Sequence, residues 1–413
     1  MTLNDRFVRP RYDGACFGNL PQTIIHLLTG QGRLALPTEV FGGLPIGRYQ
    51  TIVLFFVDAF GWRFFKEHRD SYPFLREIVQ KGAVTKLTTE FPSTTAAHVT
   101  CIHTGLSVGQ SGVYEWQYYE PEFDAIIAPL LYSYAGTTER ETLPAGIDPR
   151  RLFPTGTIYH ELGRHGIQSF AFQHRDYTPS TFSDVVFSGA ETRPYRTVSE
   201  ALVNMRELLL DETSGSRYIF FYHGGIDTIS HQYGPGSPQL KAEIDTFLTS
   251  VDRIFWRELK KLENTLFVLV ADHGQVDIDP ATTIYLNVEP EFAGIEKLIK
   301  TNRKGDLLVP AGSCRDMFLY IKEGMLDQAL EFLAGRLRGK AEVYRTQDLI
   351  SEGLFGPPPL SPAMLSRLGN LVILPYEQES VWWYEKGFEQ KHYGHHGGLT
   401  PQEAEIPLLL YSF

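Results

Sequence analysis

Three apolar runs constrain this chain more than any other feature: Thr51–Val57 (TIVLFFV), Arg217–His223 (RYIFFYH) and Thr265–Ala271 (TLFVLVA). Each is continuously β-branched and aromatic, the signature of a strand buried on both faces of a parallel sheet. Helix-like segments separate them, at Trp62–Lys81, Gly156–Gly166, Val198–Leu210 and Gln239–Leu262. The alternation predicts an α/β fold with a mostly parallel sheet flanked by helices. The residues just beyond each run bear on function. Asp58 ends the first, Asp227 and His231 come shortly after the second, and Asp272 and His273 end the third. Open α/β sheets keep their ligand sites at the carboxyl ends of their strands. Aspartate is also a good helix N-cap, which explains one such case well and three poorly.

Ala83–Thr89 and Ile167–Gln173 read as further strands. Beyond about Tyr285 the pattern changes: Met317–Ile321 and Ala341–Arg345 read as strands around a helix at Leu326–Leu337. This predicts a small inserted α/β subdomain over residues 285–372, with 1–284 and 373–413 forming the core. Leu371–Leu374 reads as a strand rejoining the main sheet. A chain of 413 residues, 43% of them hydrophobic, is long enough for this arrangement.

The formal charge of −11 makes the surface as a whole repel nucleic acid and anionic membranes, so an anionic substrate needs a local source of positive charge. Cys16, Cys101 and Cys314 are far apart with no CxxC spacing, against a disulfide framework or a thiolate zinc site. The N-terminus lacks the apolar run of a signal peptide, and no stretch reaches the roughly 18 apolar residues of a membrane span. A protein of the cytoplasm with no membrane partner is the expectation.

A second feature is Phe91–Gly105, FPSTTAAHVTCIHTG, in which Ser93, Thr94 and Thr95 follow Pro92 ahead of a helical pattern. Any of the three hydroxyls suits an N-cap. One at a helix start also meets the positive end of the helix dipole, where a phosphate would be held. Asp227 and His231 stand four apart, so a helical turn puts both on one face, where they can grip one metal ion or form an ion pair. Near the C-terminus His392, His395 and His396 crowd a Gly-rich loop. Tyr114, Trp116, Tyr118, Tyr119 and Phe123 either line a cleft or pack a core. Carboxylates and imidazoles without thiols suit two divalent ions, zinc foremost, with manganese or iron as alternatives.

Five motifs, VDAFG, FPSTTAAHVTCIHTG, DTISHQYGP, VADHG and HHGGLTPQEAEIPLL, occur in this order over nearly all of the main domain. In them the chain resembles the alkaline phosphatase superfamily and, within it, the type I phosphodiesterase/nucleotide pyrophosphatase family. The resemblance implies a two-metal hydrolase of phosphate esters acting on a small phosphorylated substrate such as a nucleotide. It implies that Asp58, Asp272 and His273 hold one ion together with the nucleophile Thr95, and that Asp227, His231 and His396 hold the other. His396 is preferred because Gly397 and Gly398 follow it directly; His395, His392 and His103 are then loop or packing histidines. Two positions depart from the family pattern. His98 replaces an asparagine that helps hold a phosphate oxygen, and is either a catalytic donor in its place or a buried structural histidine. Ser230 replaces the glycine of Asp-x-x-Gly-His. A phosphomonoesterase or phosphonate hydrolase of the same superfamily is the closest rival, and a non-catalytic metal- and phosphate-binding protein the next.

Overall fold

A computed structural model describes residues 3–211 and 215–413. Seven strands form the main sheet: β1 (Thr51–Val57), β2 (Ala83–Thr88), β3 (Gln168–His174), β4 (Glu191–Tyr195), β5 (Arg217–His223), β6 (Thr265–Val270) and β7 (Glu405–Ser412). Their order is β2-β7-β6-β1-β5-β3-β4. β1 pairs in parallel with both β5 and β6, Phe56 lying opposite Tyr222 on one side and Val270 on the other. β3 runs parallel to β5 and β4. Only β7 is reversed, pairing antiparallel with β6 and β2. The expected mostly parallel sheet is therefore present. The three apolar runs occupy its middle, where every residue of β1, β5 and β6 is buried. Helices on both faces leave those strands no solvated side, which is why their sequences do not alternate.

Some expected elements differ. The helix expected over Trp62–Lys81 is two helices, Trp62–His68 and Pro73–Lys81, because Pro73 cannot sit inside a helix but suits the first turn of a new one. The helix expected over Gln239–Leu262 runs as an α-helix only over Pro238–Ser250, then passes through a π-turn at Val251–Phe255. Leu371–Pro375 does not rejoin the main sheet: it is the middle strand of a separate antiparallel sheet, between Met317–Leu319 and Ala341–Arg345. A boundary at residue 372 passes through that strand. The smaller unit has its own apolar core, gathered from Val276 to Trp383 and including Phe292, Leu333 and Ile373.

A buried ion pair ties the smaller unit to the short helix Pro401–Ala404 that leads into β7. Arg315 and Glu403, both fully buried, meet through two parallel bonds of 3.0 and 2.9 Å. The guanidinium also donates to the carbonyls of Pro375, Tyr376 and Glu379. Glu403 in turn accepts from the Gly398 and Thr400 amides, at 3.1 and 3.3 Å, so the pair braces the loop that carries His396.

Candidate active site

Asp58 follows β1 directly, and the chain then turns through Ala59 in the left-handed region at φ 60°. The turns after β1 and β6 approach so closely that a Cβ on Gly61 would lie 2.6 Å from the Cα of Gly274. A Cβ on Gly274 would lie 2.2 Å from the Gln402 carbonyl. Glycine at both places lets the two strand ends bring Asp58, Asp272 and His273 together.

These residues form the first of two ligand-rich groups. Asp272 Oδ1 accepts from the amides of Ala59, at 3.1 Å, and His273, at 3.0 Å. Asp58 Oδ2 accepts from the Tyr222 hydroxyl. The other oxygens, Asp58 Oδ1 and Asp272 Oδ2, are buried and accept no hydrogen bond from any described residue. Each lies 3.3 Å from His273 Nε2. Assigning the proton of His273 to Nδ1, 3.1 Å from the Gly274 carbonyl, leaves the Nε2 lone pair facing both carboxylates. Electron pairs converging in a buried place call for a cation between them, a shared proton in the bare chain or a metal ion when one is bound.

The second group lies beside it. Asp227 and His231 share one face of the helix Gly225–Tyr233, with Asp227 Oδ1 3.4 Å from His231 Nε2. His396 Nε2 approaches the same oxygen at 3.8 Å. Both imidazoles have Nδ1 on a backbone carbonyl: His231 on Gly394 at 2.8 Å, His396 on Ser93 at 2.9 Å. A histidine anchored through one nitrogen presents the other in a fixed direction, the arrangement metal ligands adopt. Ligand atoms of Asp58, Asp272 and His273 lie within 4.8 Å of one another, as do those of Asp227, His273 and His396. His273 and His396 stack with centroids 3.6 Å apart, joining the two groups.

Thr95 begins the helix Thr95–Thr104. Its hydroxyl stands 3.1 Å from His273 Nε2 and donates to Asp58 Oδ2 at 3.5 Å. Its two hydroxyl neighbours serve the fold. Thr94 is the N-cap, accepting from the Ala97 amide and donating to the Tyr114 carbonyl at 2.8 Å. Ser93 donates to the Gly398 carbonyl at 2.7 Å. Ser93 and Thr94 are buried with their hydroxyls on backbone carbonyls, whereas Thr95 is half-buried and its hydroxyl faces the carboxylate and imidazole of the cleft.

His98 does not have the donor role left open for it. Fully buried behind the helix, it accepts from the Glu90 amide through Nε2 at 3.0 Å and donates to the Thr94 carbonyl through Nδ1 at 2.7 Å. With both nitrogens used and burial holding its pKa down at about 4, it is a neutral brace for the loop before Thr95. His103 is a packing histidine, as expected, bonded to Tyr159 and held between Phe187 and Phe220. Two contributors are not evident from the sequence. Tyr222 orients Asp58, and Gln275 donates to Asp227 Oδ1 at 2.6 Å. Tyr222 is one of several aromatic residues in β5 and nothing in the sequence marks its hydroxyl; Gln275 carries no signal beyond lying two residues after His273.

Thr95, Asp58, Asp227, His231 and His396 open onto a cleft of about 430 Å³. Trp116, Tyr177, Phe182, Phe187 and Phe388 supply aromatic wall, and Arg140 lies over the Tyr177 ring at 5.5 Å. Of the aromatics that could line a cleft or pack a core, Trp116 lines the cleft, whereas Tyr114 and Tyr118 are fully buried and stack on each other.

The family model for type I phosphodiesterase / nucleotide pyrophosphatase matches residues 52–399, a span that takes in every one of these side chains. The chain belongs to this family. Its fold is shared with solved structures of ectonucleotide pyrophosphatase / phosphodiesterase 5. The murine protein, as an inactive variant in complex with AMP, matches with a TM-score of 0.63 at 16% identity, over 86% of this chain and 87% of that one. The human protein matches with a TM-score of 0.61 at 16% identity, over 87% of each chain. No curated protein matches the sequence. Family membership and the possible metal-binding clusters agree with a metal-dependent phosphodiester hydrolase fold.

The electrostatics of the site make a prediction for the protein stripped of metal. Burial pushes Asp272 up to about 7, with Asp227 adding to the rise; burial, then Asp272 and Asp227, push Asp58 up as well. Burial also raises Glu90 and Glu115, each to about 8. The buried histidines are lowered, so they are neutral in the folded chain, and above about pH 7.5 they are largely neutral in the unfolded chain as well. Above that pH the folded chain therefore binds more protons than the unfolded one, and its stability falls as pH rises toward about 8. The melting temperature in chelator should drop from about pH 7.5 to 8.5, and drop less when a divalent ion is supplied. Thermal melts across that range check this, and a rise in chelator would contradict it.

Proposed function

We propose that the chain is a two-metal hydrolase of phosphate diesters or nucleotide pyrophosphate bonds, working through a covalent intermediate on Thr95. The observation that carries this is the position of Thr95: a half-buried hydroxyl at a helix start in the cleft wall, beside two buried carboxylate oxygens that accept no hydrogen bond from a described residue. The donor sets fit two divalent ions, zinc or manganese. Asp58, Asp272 and His273, with Thr95, would hold one, and Asp227, His231 and His396 the other. Such ions lower the pKa of a bound hydroxyl and neutralise charge on the attacking and leaving oxygens.

The protein's own part is positioning. Tyr222 and Gln275 hold Asp58 and Asp227 in place, and the capped start of the helix aims the Thr95 oxygen into the cleft. Thr95 Oγ attacks phosphorus, the bond to the leaving oxygen breaks, and the departing alcohol takes up a proton. Water then attacks the same phosphorus, releasing the phosphorylated product and restoring the hydroxyl. First-turn amides lack intrahelical acceptors and lie at the positive end of the dipole, which favours an anionic phosphoryl group there.

The aromatic wall gives an organic group somewhere to lie, and a nucleotide is the first candidate because the murine relative is seen with AMP. Cytoplasmic residence stays part of the proposal, suited by three free cysteines that are all buried. Among the described residues no helix is long and apolar enough to cross a membrane.

Chelation should abolish hydrolysis of bis(p-nitrophenyl) phosphate, and added zinc or manganese should restore it. The diester should be turned over faster than p-nitrophenyl phosphate. The reverse preference would favour the monoesterase reading, turnover of neither substrate would favour simple binding, and full activity without metal would overturn the proposal.

A further inference from the structure

The loop ahead of His396 brings two more histidines against His231. Ring centroids lie 4.5 Å apart for His231 and His392, 5.1 Å for His231 and His395, and 5.6 Å for His392 and His395. One ligand nitrogen from each of the three lies within 4.8 Å of the others. The nitrogens are presented as ligands are. His231 has Nδ1 on the Gly394 carbonyl at 2.8 Å, which turns its Nε2 toward the cluster. His395 Nδ1 lies 2.9 Å from the His396 carbonyl and 3.0 Å from the His396 amide, and its Nε2 makes no hydrogen bond to a described residue. Neither ring nitrogen of His392 makes a hydrogen bond to a described residue. Three imidazoles in mutual contact repel once charged, so the cluster favours neutral rings, and the neutral imidazole is the commonest metal ligand in proteins.

We propose that His231, His392 and His395 form a third cation site, selective for borderline divalent transition ions such as zinc, cobalt or nickel. All three donors are nitrogens, and magnesium and calcium require oxygen. The site draws on a residue the catalytic pair also needs. With Nδ1 of His231 tied to Gly394, only Nε2 can ligate, and that same atom faces Asp227 Oδ1 at 3.4 Å. One lone pair serves one ion. An ion on the triad therefore takes His231 away from Asp227 and His396, and excess zinc inhibits the enzyme; this consequence, unlike the site itself, rests on the proposed hydrolase function.

The binding test uses Asp227→Asn chains, in which His231 has no competing carboxylate. Zinc content after equilibrium dialysis should fall by one equivalent when His392→Ala is added, and by the same amount with His392→Ala and His395→Ala together. The His392 side chain is exposed, so its removal leaves the packing intact; circular dichroism confirms the fold of each variant. Equal zinc content with and without these substitutions would overturn the site, whether or not the protein proves to be a hydrolase. In the chain with Asp227 intact, His392→Ala should raise the half-inhibiting zinc concentration by about tenfold or more. Undiminished inhibition in that variant would overturn the competition for His231.

Discussion

Thr95→Ala should lower kcat by about a thousandfold or more, with the fold unchanged, as removal of a covalent nucleophile does. The neighbouring hydroxyls sharpen the expectation. Ser93 and Thr94 are buried and spend their hydroxyls on the Gly398 and Tyr114 carbonyls. Replacing either with alanine should cost stability, about 1 kcal/mol for a lost cap or buried hydrogen bond, with only a small change in kcat. Steady-state kinetics beside urea denaturation of the three variants separates the two kinds of loss. Should Thr95→Ala keep most of its activity, the nucleophile would have to be sought elsewhere.

The second large effect is expected far from phosphorus. Arg315→Met leaves the Glu403 carboxylate fully buried with no countercharge. Breaking such a pair from one side destabilises by about 3–5 kcal/mol, because the remaining charge is still desolvated. Replacing both residues with apolar ones should recover much of that loss, a non-additivity that a double-mutant cycle in urea would measure. A loss under about 1 kcal/mol for Arg315→Met would show that water reaches Glu403 once the guanidinium is gone. Because Glu403 also holds the Gly398 and Thr400 amides, the single variant should lose metal affinity at His396 along with stability.

How much of the molecule is readable in the chain depends on the range of the interactions involved. β1, β5 and β6 are legible because strands buried on both faces need continuous apolar residues, and the ends of such strands are where chemistry-bearing side chains collect. Asp58, Asp272 and His273 follow from that logic alone. The helical spacing of Asp227 and His231 is equally plain. Leu371–Pro375 lies in a different sheet from the one expected because a short apolar run says that a strand is buried, not which sheet buries it. The break at Pro73 is local and obeys the ordinary rule for proline within a helix, so a single helix over Trp62–Lys81 set too little weight on that residue. His98 could be settled only by coordinates: its partners, the Glu90 amide and the Thr94 carbonyl, are backbone groups with no sequence signature. Tyr222, Gln275 and the contact of His392 with His231 are tertiary facts of the same kind.

The reversed strand β7 has a consequence for how the chain reaches this state. It lies between β2 and β6 yet comes after both in the chain, so those two strands face an open gap until the long intervening segment has been made and β7 inserts. Until then β2 and the apolar β6 present unpaired edges, the surfaces on which nascent chains aggregate or capture a strand from another copy. The loop that leads into β7 also seats His396 and Gly397 on Ser93, so completing the sheet and completing the active site depend on the same segment.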